Sequence, residues 1–145
     1  MFNNVTRCVF GDLKKQWARK GLGTIVCGTD ALQSTHAMFA DDTTLFASSK
    51  TGIITMIKDV KNALGEHGLN LNLDKCLVQT NASDVRPTVI KIDGQGIPMV
   101  SPEKGFKVLG TQFTLKGRCA TEVRARMAAA WSKFHSLWLV LGKRK

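Results

Sequence analysis

Apolar residues recur every three or four positions in three stretches of the chain, the pattern of helices with one buried face. The first stripe runs through the first nineteen residues and is followed by Gly21, a natural C′ residue. The second begins after residues 48–51, whose hydroxyl groups can cap a helix, and ends near Gly65. The third, roughly Cys119 to Gly142, is the longest. Its members form a heptad-like seam, widened by two tryptophans: Ala120, Val123, Met127, Ala130, Trp131, Phe134, Leu137, Trp138 and Leu141.

Shorter apolar runs between these stripes predict strands. The Asp41-Asp42 pair lies between two such runs, where a tight hairpin would turn, and Asp93-Gly94 marks a second hairpin turn. The alternation from Leu69 to Leu73, with the run up to Val78, predicts an extended segment with one buried face. A further short strand is predicted over residues 24–27 and a turn within residues 106–113. Helices combined with antiparallel strands predict an α+β fold.

The composition predicts a packed intracellular domain. Of the 145 residues, 43% are hydrophobic and 22% are charged, which gives enough apolar surface for a core. The length corresponds to one domain or to a piece of a larger one. Without a secretory signal or a membrane-length apolar run, we expect a nuclear or cytoplasmic protein with no membrane partner. Four separated cysteines without a Cys-x-x-Cys pair favour buried free thiols over a zinc site.

The formal net charge of +10 is concentrated at the two ends of the chain. Residues 1–20 carry five basic side chains and one acidic, and residues 116–145 carry eight basic and one acidic. The segment between them has eight basic and nine acidic residues and contains Asp41-Asp42. Basic arms around an acidic centre suit a metal site beside a phosphate backbone. The same charge would also keep a soluble basic protein from associating.

The adjacent acids Asp41 and Asp42 are the candidate for chemistry. Two neighbouring carboxylates repel each other, and nothing in turn chemistry requires both. Divalent cations do favour such a pair, because hard cations take carboxylate oxygens as ligands and can activate an attacking oxygen. The plain alternative is a solvated hairpin tip.

Several short motifs resemble those of one enzyme family, in the family's order. Phe39-Ala40-Asp41-Asp42 resembles the aromatic-x-Asp-Asp box of reverse transcriptases, and its Phe-Ala form is typical of non-LTR (LINE-type) retrotransposon enzymes. One predicted helix later, the chain matches that family's Gly-Leu-x-x-Asn-x-x-Lys pattern at Gly68, Leu69, Asn72 and Lys75. An aromatic-x-x-Leu-Gly turn like the one between palm and thumb follows at Phe106, Leu109 and Gly110. A solvated lysine and an ordinary glycine-containing hairpin are the plain alternatives for the last two motifs.

The resemblance implies a fold and a reaction. The fold would be a partial polymerase palm over residues 1–115 and the start of a thumb helix over 116–145. The reaction would be addition of a deoxynucleotide to a primer 3′-oxygen with Mg²⁺ or Mn²⁺, Asp41 being the principal ligand and Asp42 assisting. Lys75 would act near the departing pyrophosphate. By resemblance, the residues that would contact the nucleotide or primer are Phe39, Ala40, Gly68, Asn72, Phe106, Leu109 and Gly110. Those that would contact the nucleic-acid backbone are Arg118, Arg124, Arg126 and Lys133.

The resemblance also implies binding partners and a third aspartate that these residues do not supply. The partners would be an RNA or DNA primer–template, deoxynucleoside triphosphates, and an upstream palm and fingers segment. A third aspartate normally comes from that segment. Neither Asp12 on a predicted helix nor Asp30 in a predicted loop fits its place, so we expect no polymerisation by this polypeptide alone. Two alternatives remain open: a non-catalytic basic nucleic-acid-binding remnant of a retroelement, and a metal-dependent nuclease.

Overall fold

The computed structural model describes residues 2–25, 33–81, 89–103, 106–108, 111–113, 115 and 119–141. Helices and small sheets are both present, which confirms a mixed α+β chain. The chain divides into two compact units, Met1–Leu77 with Val89–Pro98, and Val78–Thr88 with Met99–Lys145. The two units are described separately below. No helix among the described residues is both long and apolar enough to cross a membrane.

Two helices form the centre of the first unit. Helix α1 spans Phe2–Arg19 and helix α2 spans Lys50–Glu66, close to the predicted limits. Gly21 ends the first with a positive φ of 64°, and the Ser49 hydroxyl caps the second by accepting from the Gly52 amide at 3.0 Å. Their facing apolar side chains make one core of Val9, Phe10, Leu13, Trp17, Met56 and Val60.

A hairpin packs one face against this core. Strand β3 is His36–Phe39 and strand β4 is Asp42–Leu45, paired antiparallel. Met38 and Leu45 pack on the helix core, because alternate residues of a strand point to opposite faces. Before the hairpin, a two-residue strand β1 (Thr24–Ile25) pairs with β2 (Gln33–Ser34). The end of the predicted strand at 26–27 and the loop with Asp30 lie outside the described residues.

The segment after α2 differs from the prediction. Residues Leu69 to Leu73 keep the predicted one-sided burial, but a single 3₁₀ turn at Leu73–Lys75 interrupts the extended segment, and only Val78–Gln79 (β5) is a strand. The Asn72 side chain starts the turn by accepting from the Asp74 amide at 3.1 Å. Leu73 is buried while Asp74 and Lys75 are exposed. The alternating leucines therefore mark one buried face, on which Leu71 packs against the helix core and Leu73 is buried, in a segment that is not a regular strand.

The second predicted hairpin is confirmed. Strand β6 (Val89–Ile92) pairs antiparallel with β7 (Gln95–Val100) around Asp93-Gly94. Both turn residues have positive φ, 50° and 85°, as a tight two-residue hairpin turn requires. Its isoleucines Ile90, Ile92 and Ile97 are almost fully buried. Lys61 of α2 forms an ion pair with Asp93.

The second unit contains the remaining strands and the long helix. Strand β5 pairs parallel with the last two residues of β7, and β8 (Phe106–Val108) pairs antiparallel with β9 (Thr111–Phe113). Helix α3 spans Cys119–Leu141, close to its predicted length. Its apolar seam is not a buried core stripe as the spacing suggested: Val123, Met127, Trp131, Phe134, Leu137 and Trp138 are each at least 42% exposed.

One smaller expectation about the cysteines was also wrong. Cys8 is a free but exposed thiol, since it lies on the outward face of α1. Cys76 is half-buried, its sulfur lies 3.3 Å from the Asn72 carbonyl oxygen, and burial raises the pKa of its thiol. Cys27 lies outside the described residues.

Candidate functional site

The Asp pair lies at the tip of the β3–β4 hairpin, with Asp41 in the turn and Asp42 directly after it. Phe39 and Asp42 are the last paired residues, so Ala40 and Asp41 make the turn. The prediction that both acids occupy the turn is therefore corrected: Asp41 is in it and Asp42 begins β4. Ala40 has a positive φ of 53°, which alanine rarely adopts and which costs conformational energy. This strained turn places Asp41 at the tip of the hairpin.

The tip is open to solvent. Asp41 and Asp42 are both exposed, and Phe39 is 65% exposed although it is a large aromatic residue. Phe39 and Asp42 are direct cross-strand partners, so their side chains project from the same face of the hairpin. This is the face opposite to Met38 and Leu45, which pack on the helices. The outer face therefore combines an uncovered aromatic ring with a carboxylate.

The two acids differ from the other described aspartates in having no partner. Asp12 pairs with Lys15, Asp59 accepts from Trp17, Asp74 accepts from Gln95, and Asp93 pairs with Lys61. The Lys61 hydrogen bond and its charge hold the pKa of Asp93 below the ordinary value. Within the described ranges, no hydrogen bond or ion pair satisfies Asp41 or Asp42.

The donor set at the tip is incomplete for an all-protein metal cage. Among the described residues, no three His, Cys, Asp or Glu side chains come together as ligands. Two exposed carboxylates still fit Mg²⁺ or Mn²⁺, because Mg²⁺ keeps several waters and is commonly bound through one or two carboxylates plus substrate phosphates. The chemistry of the tip thus suits a cation shared with a phosphate ligand.

The second motif lies after α2, in the same unit as the tip. Gly68 has a positive φ of 71° and ends the helical segment. The side chain of Asn72 caps the 3₁₀ turn, and Lys75 is exposed at the end of that turn. Among the described residues, no hydrogen bond joins Lys75 or Asn72 to Asp41. Their functional assignment therefore remains a prediction.

The remaining predicted contacts belong to the second unit or lie outside the described residues. Leu109, Gly110 and Arg118 are outside them, and of Phe106 only the backbone position in β8 is described. Arg124, Arg126 and Lys133 are exposed on α3. Arg126 is ion-paired with Glu122 one turn earlier, which partly neutralises that helix surface.

Sequence reasoning missed a cleft between α1 and the hairpin. The cleft has a volume of about 510 Å³, and Arg7, Gly11, Lys14, His36 and Ala40 are among its lining residues. The His36 ring lies tilted against the Phe10 ring at a centroid distance of 4.9 Å, and its Nδ1 lies 3.0 Å from the Thr35 hydroxyl. The signal for this cleft in the sequence was the seven-residue spacing of two basic residues on α1, with a glycine between them.

The position of His36 predicts a loss of stability in acid. Burial, and secondarily the charge of Lys14, lower the pKa of His36 below its ordinary value of 6.5. A depressed histidine pKa means that the unfolded chain binds the proton better, so stability is full above 6.5 and falls as the pH drops below it. We expect His36→Phe, which keeps the ring contacts, to flatten this part of the curve. Urea unfolding at several pH values checks this; an unchanged slope in the variant contradicts it.

Comparison with known proteins agrees with the motifs. Residues 1–113 match the family described as reverse transcriptase (RNA-dependent DNA polymerase). The chain is also similar to the retrovirus-related Pol polyprotein from type-2 retrotransposable element R2DM of Drosophila melanogaster, with 30% identity over 89 residues. That similarity covers 57% of this chain and 8% of the relative, so the chain spans a small part of that polyprotein's length. No solved structure matches the chain.

Proposed function

Because the chain belongs to the reverse transcriptase family, on the non-LTR retrotransposon side, we propose that its Asp41-Asp42 tip is the metal-binding part of a polymerase palm. The palm would comprise residues 1–115, and residues 116–145 would begin the thumb. The reaction is template-directed addition of a deoxynucleotide to a primer 3′-oxygen. By resemblance it also requires a third aspartate and the fingers from an upstream segment, so we expect no primer extension by residues 1–145 without that segment.

One observation carries the proposal: the described aspartates without a partner are the two neighbours at the tip of a hairpin. Each other described aspartate is paired with lysine, tryptophan or glutamine. Two unpaired neighbouring anions are unfavourable unless a cation offsets their repulsion. The residues that pack the hairpin, Met38 and Leu45, hold the tip against the helix core and so fix where the acids stand.

Each residue of the hairpin tip has its own role in the proposed site. Asp41 is the principal cation ligand and Asp42 the assisting one. The bound divalent ions supply charge stabilisation for the attacking and leaving oxygens of the transfer. Ala40 positions Asp41 through its strained turn, and the exposed Phe39 ring offers an apolar surface beside the primer end or nucleotide.

The resemblance also assigns roles to residues farther along the chain. Lys75 donates a positive charge near the departing pyrophosphate, where it would stabilise developing negative charge. Gly68 and Asn72 shape the turn that carries it. By resemblance, Phe106, Leu109 and Gly110 would contact the nucleotide or the primer. The basic residues of α3, Arg124, Arg126 and Lys133, together with Arg118, contact nucleic-acid phosphates.

Primer extension in trans tests this function. The chain, mixed with a separately expressed segment that carries the upstream motifs of a non-LTR reverse transcriptase, is expected to extend a DNA primer on an RNA template with Mg²⁺. Asp41→Asn should reduce extension on the order of 100-fold or more, because even indirect partners of metal ligands are worth about 10–100-fold. Asp93→Asn is the matched control, since it removes an acid from the other described tight turn.

Three results would count against the polymerase assignment. Equal extension by Asp41→Asn and by the wild type would separate the acids from the chemistry. Extension in neither mixture, together with salt-dependent oligonucleotide binding that the double Asp41→Ala, Asp42→Ala variant retains, would favour a non-catalytic nucleic-acid-binding remnant. Metal-dependent cleavage of the template that Asp41→Asn abolishes would instead indicate a nuclease.

A further inference from the structure

The cleft between α1 and the hairpin carries positive charge beside the acidic tip. Arg7 and Lys14 of α1 line it on one side, and Ala40 of the hairpin turn lines its other side. No acidic side chain is among its lining residues. The neighbouring acid on α1, Asp12, is instead paired with Lys15 away from this cleft. The cleft therefore presents uncompensated positive charge within the first unit.

The two basic residues are aligned along the helix. Residues seven apart on a helix lie on the same face, two turns from one another, so Arg7 and Lys14 stand about 10 Å apart along the axis. Their side chains are exposed. A single phosphate group is much smaller than this span, whereas consecutive phosphates of a nucleic-acid strand can contact both side chains.

Gly11 lies between them and has no structural role that its surroundings explain. A Cβ atom at this position would meet nothing within 4 Å, so no neighbour requires a glycine. Glycine inside a helix is unfavourable relative to alanine. What Gly11 does provide is an uncovered stretch of helix backbone on the floor of the cleft, between two positive side chains.

His36 gives an independent sign of the charge in this cleft. Its ring lines the cleft, and the charge of Lys14 contributes to lowering its pKa, after burial. Lys14, which also lines the cleft, is therefore close enough to His36 for its charge to act on the imidazole ring. A neutral imidazole at physiological pH leaves Arg7 and Lys14 as the charges that a ligand meets.

We propose that this cleft binds the phosphodiester backbone of a nucleic-acid strand, with Arg7 and Lys14 on successive phosphates and Gly11 admitting close approach. The strand would then pass Ala40 and reach the Asp41-Asp42 tip. The role of that strand in polymerisation rests on the proposed function, but its binding does not. A nucleoside triphosphate is the competing ligand. Its phosphates form one compact group, which matches the spacing of about 10 Å between Arg7 and Lys14 along the helix axis less well than successive phosphates of a strand do.

Fluorescence anisotropy with a short labelled single-stranded oligonucleotide, in EDTA, tests the site without involving metal. Arg7→Gln with Lys14→Gln should weaken binding on the order of 10-fold and reduce the salt slope by about 2. The matched control is Lys15→Gln with Arg19→Gln. It removes the same charge from the same helix and should change binding much less.

Gly11→Leu separates cleft shape from charge. The variant fills the floor of the cleft, keeps every charge and improves helix propensity, so a loss of binding cannot come from unfolding. We expect weaker oligonucleotide binding with an unchanged or higher melting temperature. Gly11→Ala serves as the mild counterpart and should retain more binding than the leucine variant.

Three outcomes would overturn the cleft assignment. The first is equal loss of binding in the Arg7/Lys14 and Lys15/Arg19 pairs, which would indicate only net charge. The second is unchanged binding by Gly11→Leu. The third is displacement of the oligonucleotide by an equimolar deoxynucleoside triphosphate, which would assign the cleft to the smaller ligand. Failure of the Asp41 tests leaves these results standing, so the two proposals fail separately.

Discussion

Trp17→Ala is expected to lower the free energy of unfolding of the first unit by about 3–5 kcal/mol, the usual cost of removing a large core aromatic residue. The Trp17 side chain is fully buried in the core between α1 and α2. Its ring contacts Phe10 and His36 edge-on, at centroid distances of 6.3 and 6.1 Å. Its indole Nε1 also donates to Asp59 at 2.9 Å. The substitution therefore leaves both a cavity and a carboxylate without its donor.

The chain supplies its own control for this prediction. Trp131 is 65% exposed on α3, and Trp131→Ala should change stability by no more than about 0.5 kcal/mol. Trp17→Phe retains the ring volume in part but loses the hydrogen bond, so it should fall between the two. Urea unfolding followed by circular dichroism measures all three. Equal destabilisation by the two alanine variants would contradict the placement of the core.

The helices could be predicted because periodic apolar residues report directly on a buried face. Val9, Leu13 and Trp17 were assigned to one stripe from spacing alone, and all three are buried. The ends were also readable, since Ser49 and Gly21 are residue types with a defined capping chemistry. The same reasoning identified the Asp93-Gly94 turn, where both residues adopt the positive φ that the dipeptide favours.

The sequence was less informative where the local structure depends on a shift of one residue in strand pairing, or where burial depends on a distant part of the chain. The turn before Asp42 is formed by Ala40 and Asp41, and the preference of alanine for negative φ argues against this placement until the strand pairing is known. The 3₁₀ turn at Leu73 replaces a predicted strand because Asn72 caps it locally. On α3, the apolar spacing predicted a buried face, but Trp131 is exposed. Periodicity identifies an apolar face and does not show whether another element covers it.

The lack of hydrogen-bond and ion-pair partners at Asp41 and Asp42 among the described residues could not be predicted from the sequence. Asp59 and Asp93 look like ordinary surface acids, yet their partners Trp17 and Lys61 come from 42 and 32 positions away. Only the folded chain shows that these aspartates are paired while Asp41 and Asp42 are not. The motif resemblance selected Asp41 and Asp42, and their lack of protein partners in the described part of the chain gives the physical reason to test them.

Substituting the tip acids is expected to remove divalent-cation binding from the first unit. Each carboxylate attracts a doubly charged ion by about 2 kcal/mol at a separation near 4 Å in water, and Asp41 and Asp42 are both solvent-exposed. Replacing one by asparagine keeps its shape and should weaken binding about 30-fold. The double variant, Asp41→Asn with Asp42→Asn, should leave no site-specific binding.

The most direct test of the account is paramagnetic broadening by Mn²⁺ of amide resonances in the wild-type chain, in the double tip variant, and in Asp93→Asn. We predict that substoichiometric Mn²⁺ selectively broadens the amides of Phe39 to Thr43 in the wild type and in Asp93→Asn, and not in the double variant. Equal broadening of the tip in the double variant, or selective broadening around Asp93 instead, would contradict the claim that these neighbouring acids hold a divalent cation.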